Sequence, residues 1–419
     1  MQSDSNSGQL RRDLGLIDAV GVGLGAIIGA GIFVVTGVAA GVAGPAFIVA
    51  LLIAGIAATC NALSSAELAA SYPQSGGTYE YGYRLLHPLL GFSAGWMFLA
   101  SKLAAGGTVA LGFGSYFSKL VPFADPRTSA VIAVVILTAA NLFGIKKAGR
   151  LNTIIVAATL LALTAFVVAG IPSFDRANLQ PFAPHGFSGI AEAAALLFFA
   201  YTGYARIATL GEEVNEPRKT IPRAVVITIV VSVVLYIAVA LIAVGTVGAE
   251  FLAASSSPLE SASTRFGFPG ITWIVVLGAT TAMLGVLLSQ IVGISRMMFA
   301  MARRSDVPER LEHTNKFSVP DLGIILTGAV IVLLCIFGTL EYVLSAAAFT
   351  ILLYYLIANI AALKLSEANK IYPKWIAVLG IVGCAALALS LRTNVIFYGL
   401  LMLATGHLLR PIFRWLNRK

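Results

Sequence analysis

Long apolar runs separated by short polar segments dominate the chain. A helix needs about 20 apolar residues to cross the hydrocarbon core of a bilayer, and most of these runs reach or approach that length. The pattern predicts an all-α membrane protein with twelve spans. The predicted spans cover residues 16–40, 45–70, 89–118, 128–144, 150–171, 189–210, 223–248, 270–301, 322–339, 341–363, 374–391 and 394–413.

Glycines interrupt two of these spans near the middle. The first span contains GAIIGAGIF at residues 25–33, and the sixth contains FFAYTGYAR at residues 198–206. Glycine is a poor helix former, so the pattern favours broken helices whose freed N–H groups bind an anion. A close helix crossing is the alternative, because small residues let two backbones approach each other.

The order of the two interrupted spans suggests an internal repeat. Each is the first of five spans, which predicts two inverted five-span repeats, 16–171 and 189–363, followed by two additional helices in 374–413. The remaining segments are predicted tails, 1–15 and 414–419. Broken helices in corresponding positions of two repeats indicate a midplane binding site in a secondary transporter.

Composition and charge narrow the class of protein further. Hydrophobic residues make up 58% of the 419 residues and charged residues 11%, whereas soluble domains carry roughly 25% charged residues. Of the 28 lysines and arginines, 20 fall on the side that holds both predicted termini and 5 on the other. The positive-inside rule therefore predicts cytoplasmic termini, and the +9 net charge reflects orientation rather than nucleic-acid binding.

Cysteine and histidine patterns offer no sign of catalysis or metal binding. The three cysteines lie inside predicted spans without metal-ligand spacing, and the four histidines are scattered along the chain, so we expect no metal, cofactor or membrane-embedded enzyme site. A channel is disfavoured by the paired broken helices. The first apolar run follows Arg11 and Arg12 but is too long for a signal peptide, so we expect it to be retained.

Four motifs together resemble a known family. They are GAIIGAGIF at 25–33, YPQSGGTYEY at 72–81, EEVNEP at 212–217 with IPRA at 221–224, and RMMFAMARR at 296–304 with VP at 307–308. In this order they are similar to the amino acid–polyamine–organocation (APC) superfamily of permeases. The resemblance covers nearly the whole chain, and it implies a LeuT-like fold, alternating access and an α-amino acid or amine as substrate. The family's common Ala-Arg-Asp-Gly reads ARRS at 302–305, a change expected to affect a loop more than the site.

The same resemblance implies a substrate site. The substrate carboxylate would meet N–H groups at residues 29–31, and its amine would meet carbonyls around 27–28 and 199–202, with an aromatic gate at 199 and a side-chain-selecting residue at 290. The predicted substrate-binding residues are Ile27, Ile28, Gly29, Ala30, Gly31, Phe199, Ala200, Tyr201, Thr202, Gly203 and Gln290.

Two basic residues inside predicted spans are candidates for ion coupling. Lys102 and Arg206 are costly in a bilayer, so each is expected to line the transport path or carry a proton. The alternatives are a structural pair with Glu67 or Glu192, or snorkelling to an interface. Many proton-coupled relatives have a lysine in span 5 where this chain has Thr159. Lysine gives up a proton more readily than arginine, which favours Lys102 as the carrier, while Glu67 is expected to brace a gate.

The sequence therefore predicts a secondary active permease in the cytoplasmic membrane. Its expected partners are a small amino acid, most simply a neutral one, and membrane lipid, and we expect no nucleic acid. Proton coupling or substrate exchange is the expected driving force for transport. A cationic amino acid or polyamine antiporter is an alternative, and so is a transporter-like sensor without flux. The oligomeric state stays open.

Overall fold

The computed structural model describes residues 14–72, 76–144, 148–208 and 214–417. These residues are helical or in turns, and the β-type pairing recorded among them is one isolated bridge between Leu14 and Val214. Most of the predicted tail 1–15 and the last two residues of the predicted tail 414–419 lie outside the described residues. The all-α fold is confirmed.

Among the described residues, twelve helical spans follow one another at nearly the predicted positions. Their bounds are Leu16–Ile27 with Ala30–Ala43 (span 1), Phe47–Ser71 (span 2), Pro88–Leu120 (span 3), Pro126–Leu142 (span 4), Ala148–Gly170 (span 5), Gly186–Phe198 with Phe199–Tyr204 and Ala205–Ala208 (span 6), Pro217–Val247 (span 7), Ile271–Ala302 (span 8), Asp321–Phe337 (span 9), Leu340–Leu363 (span 10), Lys374–Leu389 (span 11) and Thr393–Leu416 (span 12).

Shorter helices connect some of these spans. They are Gly44–Ala46, Thr78–Tyr81, Gly82–Leu86, Ile171–Ser173, Arg176–Leu179, Ala249–Ala254, Pro258–Ser263, Glu309–Glu312 and Glu367–Asn369. We call the face at which span 1 begins and span 12 ends the N face. The two helices Thr78–Tyr81 and Gly82–Leu86 lie at this face between spans 2 and 3, and we call them together the 78–86 segment.

Length and composition identify the membrane-crossing helices. Eight stretches of the described residues are long and apolar enough to span a bilayer, the first of them, Leu16–Ser71, holding both span 1 and span 2. Spans 4, 9 and 11 are shorter apolar helices. Exposed aliphatic side chains such as Ile136 and Leu161 cover the outside, as expected where lipid replaces water. The chain is a multi-pass membrane protein.

Burial separates a central group of helices from the periphery. Spans 3 and 10 are the most buried of the long helices, whereas span 12 is largely exposed. The broken spans 1 and 6 lie inside the bundle, where most of residues 30–43 and 193–204 are buried. The two predicted interruptions are therefore enclosed by other helices and do not face lipid.

Candidate substrate-binding site

The interruption in span 1 is two residues long. Ile28 has φ −81° and ψ 102°, and Gly29 has φ −167° and ψ −137°, after which a new helix begins at Ala30. The first N–H groups of a helix have no partner within it, so those of Ala30, Gly31 and Ile32 are free of intrahelical bonds. They also lie at the positive end of the helix dipole, which makes this break suitable for a carboxylate.

The interruption in span 6 is a six-residue 3₁₀-helix, Phe199–Tyr204. Side chains three residues apart share a side in such a helix, so Ala200 and Gly203 point one way and Tyr201 and Tyr204 another. Thr202 lies on the same side as Phe199, and its hydroxyl donates to the Phe199 carbonyl over 2.9 Å. This geometry decides which residues of the predicted site face span 1.

The two interruptions cross each other in direct backbone contact. A Cβ added to Gly31 would lie 2.6 Å from Cα of Ala200, and one added to Gly203 would lie 2.3 Å from the carbonyl carbon of Ala26. Neither distance occurs between real side chains and backbone, so both glycines are required for the crossing. The close crossing and the broken helix, which the sequence left as alternatives, are both present.

A tyrosine that the sequence analysis did not select joins the two interruptions. Tyr236 of span 7 is fully buried, and its hydroxyl lies 2.9 Å from the Ile27 carbonyl oxygen and 3.4 Å from that of Ala200. The Ile27 carbonyl, which the resemblance assigned to the substrate amine, is thus bound by Tyr236. The sequence does carry a signal for this residue, because Tyr236 is the one tyrosine in the Val- and Ile-rich span 7. A buried tyrosine hydroxyl usually finds a hydrogen-bond partner.

Tyr201 lies on a different side of span 6 from the crossing. Its hydroxyl donates to the Leu51 carbonyl of span 2 over 3.3 Å, and its ring is 5.4 Å from that of Tyr236. Because the 3₁₀-helix turns every third residue to the same side, Tyr201 faces spans 2 and 7 while Ala200 faces span 1. The recorded contacts of Tyr201 are therefore with spans 2 and 7, and its role as a substrate contact stays a prediction.

Span 8 provides the wall opposite the break in span 1. A Cβ on Gly29 would lie 2.8 Å from Cγ2 of Val286, so an aliphatic side chain covers this break. One turn further, the Oε1 atom of Gln290 is buried and has no hydrogen-bond partner among the described residues. It lies 3.6 Å from the position of a Cβ on Gly106 of span 3, so the predicted selecting residue faces span 3 with an unused acceptor.

Lys102 lies in the half of span 3 nearer the N face, and Arg206 follows the break in span 6 on the same side. The Nζ atom of Lys102 is 5.9 Å from the ring centre of Phe98, and no salt bridge is recorded for this lysine within the part of the chain that the structure describes. Arg206 directs Nη1 toward the Ser289 carbonyl of span 8 at 3.5 Å.

Neither predicted carboxylate partner reaches these two basic residues. Glu67 is buried and accepts the N–H groups of Ile371 and Tyr372, each over 3.2 Å, so it braces the loop between spans 10 and 11. Glu192 pairs with Nε of Arg392 over 3.0 Å, at the face opposite the N face. The alternative pairing of the basic residues with Glu67 or Glu192 is therefore wrong.

Thr159 of span 5, the position where the resemblance implies a lysine in many relatives, has an engaged hydroxyl. Thr159 is buried, and its Oγ1 donates to the Ile155 carbonyl of its own helix over 2.7 Å. It supplies neither a charge nor a free donor. Across the described ranges no group of three His, Cys, Asp or Glu residues has the arrangement of a metal site.

Comparison with known proteins now identifies the family. The amino acid permease family matches residues 18–412. The chain belongs to the amino acid permease family. An uncharacterized transporter of Mycobacterium tuberculosis is 40% identical over 414 residues, covering 98% of this chain and 93% of the relative. The resemblance to APC permeases is confirmed.

Two further relatives of this permease have described substrates. A branched-chain amino acid permease of Bacillus subtilis is 33% identical over 327 residues, covering 73% of this chain and 70% of the relative. A methylthioribose transporter of the same organism is 33% identical over 382 residues, covering 84% and 82%. The chain is accordingly a membrane transporter and not an enzyme.

Proposed function

We propose that this permease carries neutral amino acids across the cytoplasmic membrane by alternating access. The observation that supports this most directly is the enclosed crossing of the two broken spans. Free N–H groups at residues 30–32 suit the carboxylate that every α-amino acid carries, and unwound carbonyls of span 6 suit its amine. The positions of the two breaks agree with inverted repeats over 16–171 and 189–363, which remain a prediction.

The surroundings of the crossing favour a neutral side chain. Val286 lies against the break in span 1, and Phe199 at the start of the break in span 6 is buried, so apolar side chains stand at both interruptions. Lys102 and Arg206 lie nearby, and their charges oppose entry of a cationic substrate. Branched-chain amino acids, the substrate named for one relative, satisfy these conditions, whereas the methylthioribose transporter makes a neutral thioether sugar the second candidate.

We propose that the N face is cytoplasmic. The excess of basic residues lies on this side, with 20 of the 28 lysines and arginines, and short loops with such an excess remain in the cytoplasm. Coupling to protons is the second part of the proposal. Thr159 offers no charge in span 5, whereas Lys102 is a titratable amine inside the membrane without a recorded salt bridge.

The test combines binding with flux on purified full-length protein. A ligand at 100 times its Kd stabilises a folded protein by about 2.7 kcal/mol, so thermal shift ranks candidate substrates directly. We expect leucine, isoleucine or valine to raise the melting temperature, and arginine and methylthioribose to leave it unchanged. The same neutral amino acid should then accumulate in proteoliposomes.

Two results would contradict the proposal. Stabilisation by arginine or methylthioribose, but not by any neutral amino acid, would overturn the substrate class. Stabilisation by a neutral amino acid without uptake or exchange in proteoliposomes would indicate a sensor instead of a permease.

A further inference from the structure

A buried carboxylate at the N face binds two separate parts of the chain. Asp306, in the loop after span 8, is fully buried. Its Oδ2 accepts the hydroxyls of Tyr79, over 2.9 Å, and of Tyr83. Its Oδ1 accepts Nε of Arg410 over 2.8 Å and Nη2 of Arg414 over 3.1 Å. The carboxylate therefore joins the 78–86 segment to span 12.

The donors in this cluster are permanently protonated. Burial raises the pKa of Tyr83 to about 12, and burial likewise raises the pKa of Tyr79 above its usual value. Arginine keeps its charge at any physiological pH. A buried carboxylate with four such donors is fully satisfied, and removing its charge leaves Arg410, which is almost completely buried, without its counter-ion.

Span 12 makes further contacts with the same region. Nη2 of Arg410 donates to the Tyr83 hydroxyl over 2.6 Å. At the end of the helix, Nδ2 of Asn417 donates to the Val307 carbonyl over 3.0 Å, and its Oδ1 accepts the N–H of Glu309 over 3.1 Å. An otherwise exposed helix is thus attached at this end by directed polar bonds.

A series of contacts leads from the 78–86 segment to the broken part of span 6. The N–H of Thr78, next to Tyr79, donates to the Tyr354 hydroxyl of span 10 over 3.3 Å. The Tyr354 ring lies 5.0 Å from that of Tyr355. The Tyr355 hydroxyl donates to the Thr202 carbonyl over 3.3 Å. Span 12 is therefore connected to the crossing through contacts that never leave the protein interior.

We propose that Asp306 is a positioning residue for transport: it ties span 12 to the 78–86 segment, holds Thr78 against Tyr354, and so keeps the N-face side of the site closed. This inference rests on the proposed function, because it takes the crossing as the substrate site. Span 12, outside the predicted repeats, then becomes part of the transport machinery. Spatial continuity alone does not demonstrate coupling, so the experiment measures coupling.

The first measurement is hydrogen–deuterium exchange of full-length protein in nanodiscs. In Asp306→Asn we expect amide exchange of peptides covering residues 76–86 and 350–357 to quicken about tenfold, the effect of losing one charged hydrogen bond. Glu312→Gln is the matched control, because Glu312 lies in the same loop, is exposed and pairs only with Arg303 among the recorded salt bridges. We expect this variant to leave the amide exchange of both peptides unchanged.

The second measurement is a double-mutant cycle on the KM for uptake. Tyr354→Phe removes the acceptor of the Thr78 N–H, so Asp306→Asn should raise KM in the wild-type background and have no further effect in Tyr354→Phe. Additive effects, or unchanged exchange at 350–357, would show that Asp306 has only a local structural role and would overturn the proposal.

Two provisions keep these outcomes interpretable. If Asp306→Asn does not fold, Tyr83→Phe removes one hydroxyl from the cluster, keeps its ring, and is expected to quicken exchange in the same two peptides. If the wild-type protein transports no amino acid, the proposed function fails, while the exchange measurement still decides whether Asp306 controls the Tyr354 region.

Discussion

The hydroxyl of Tyr236 provides the sharpest test of the candidate site. Tyr236→Phe removes the donor that binds the Ile27 and Ala200 carbonyls. The ring remains in place against Tyr201, 5.4 Å away, so the substitution leaves no cavity of note. Its effect therefore reports the hydrogen bonds that connect the two interruptions.

The expected magnitude follows from the burial of these groups. Leaving a buried acceptor without its partner costs about 1–3 kcal/mol. If about 1.4 kcal/mol of this cost falls on the geometry that binds substrate, KM rises about tenfold, since 1.4 kcal/mol corresponds to a factor of ten. The remainder appears as a lower melting temperature of the substrate-free protein.

The assay is initial-rate uptake of the preferred neutral amino acid in proteoliposomes, together with thermal unfolding of the purified variant. Tyr398→Phe is the matched control, because Tyr398 is 65% exposed in span 12 and should change neither value. A lower KM for Tyr236→Phe would refute the reasoning. It would mean that the substrate amine uses the Ile27 carbonyl and that Tyr236 competes with it.

Two other predictions concern coupling and orientation. Lys102→Met should abolish the dependence of uptake on a pH gradient and preserve substrate exchange. Lys119→Met is the control, because Lys119 pairs with Glu260 at the other end of span 3, and it should keep both the pH dependence and the exchange. Concentrative uptake by Lys102→Met under a pH gradient would exclude Lys102 as the proton carrier. A cysteine at exposed Ser256 should react with an impermeant thiol reagent added to intact cells and one at exposed Ser366 should not; the reverse pattern would invert the proposed topology.

The parts of the fold that local sequence determines were predicted well. Apolar length places the twelve spans, and clustered glycines place the breaks before Ala30 and at Phe199–Tyr204. Both signals act within a few residues, because helix propensity and hydropathy are local properties. The prediction that Glu67 acts as a brace also fits its bonds to the loop between spans 10 and 11.

The parts that depend on distant neighbours were not predicted. Nothing near Glu192 in the sequence indicates that it pairs with Arg392, and nothing near Tyr236 indicates that it binds Ile27. The direction of the Tyr201 side chain was open for a different reason: the side to which it points depends on the 3₁₀ pitch, which residue types alone do not specify.

The loop after span 8 shows how a noticed deviation was undervalued. The departure from the family pattern at 302–305 is expected to affect a loop more than the site. The next residue, Asp306, is buried under two arginines of span 12. The sequence shows an acid directly after two arginines and a serine, and only the fold shows that span 12 returns to meet it.

The contact between the two interruptions constrains how the proposed alternating access would work in this permease. The space beside Gly31 is filled by the backbone of Ala200, and the space beside Gly203 by that of Ala26, so neither broken span can slide past the other without a collision. The Tyr236 hydroxyl bonds to both as well. Spans 1 and 6 should therefore move together with this part of span 7. Spans 1, 6 and 7 would then separate from spans 3, 8 and 10. The contacts of spans 3, 8 and 10 near the site are side-chain hydrogen bonds and ring contacts, which can break and form again.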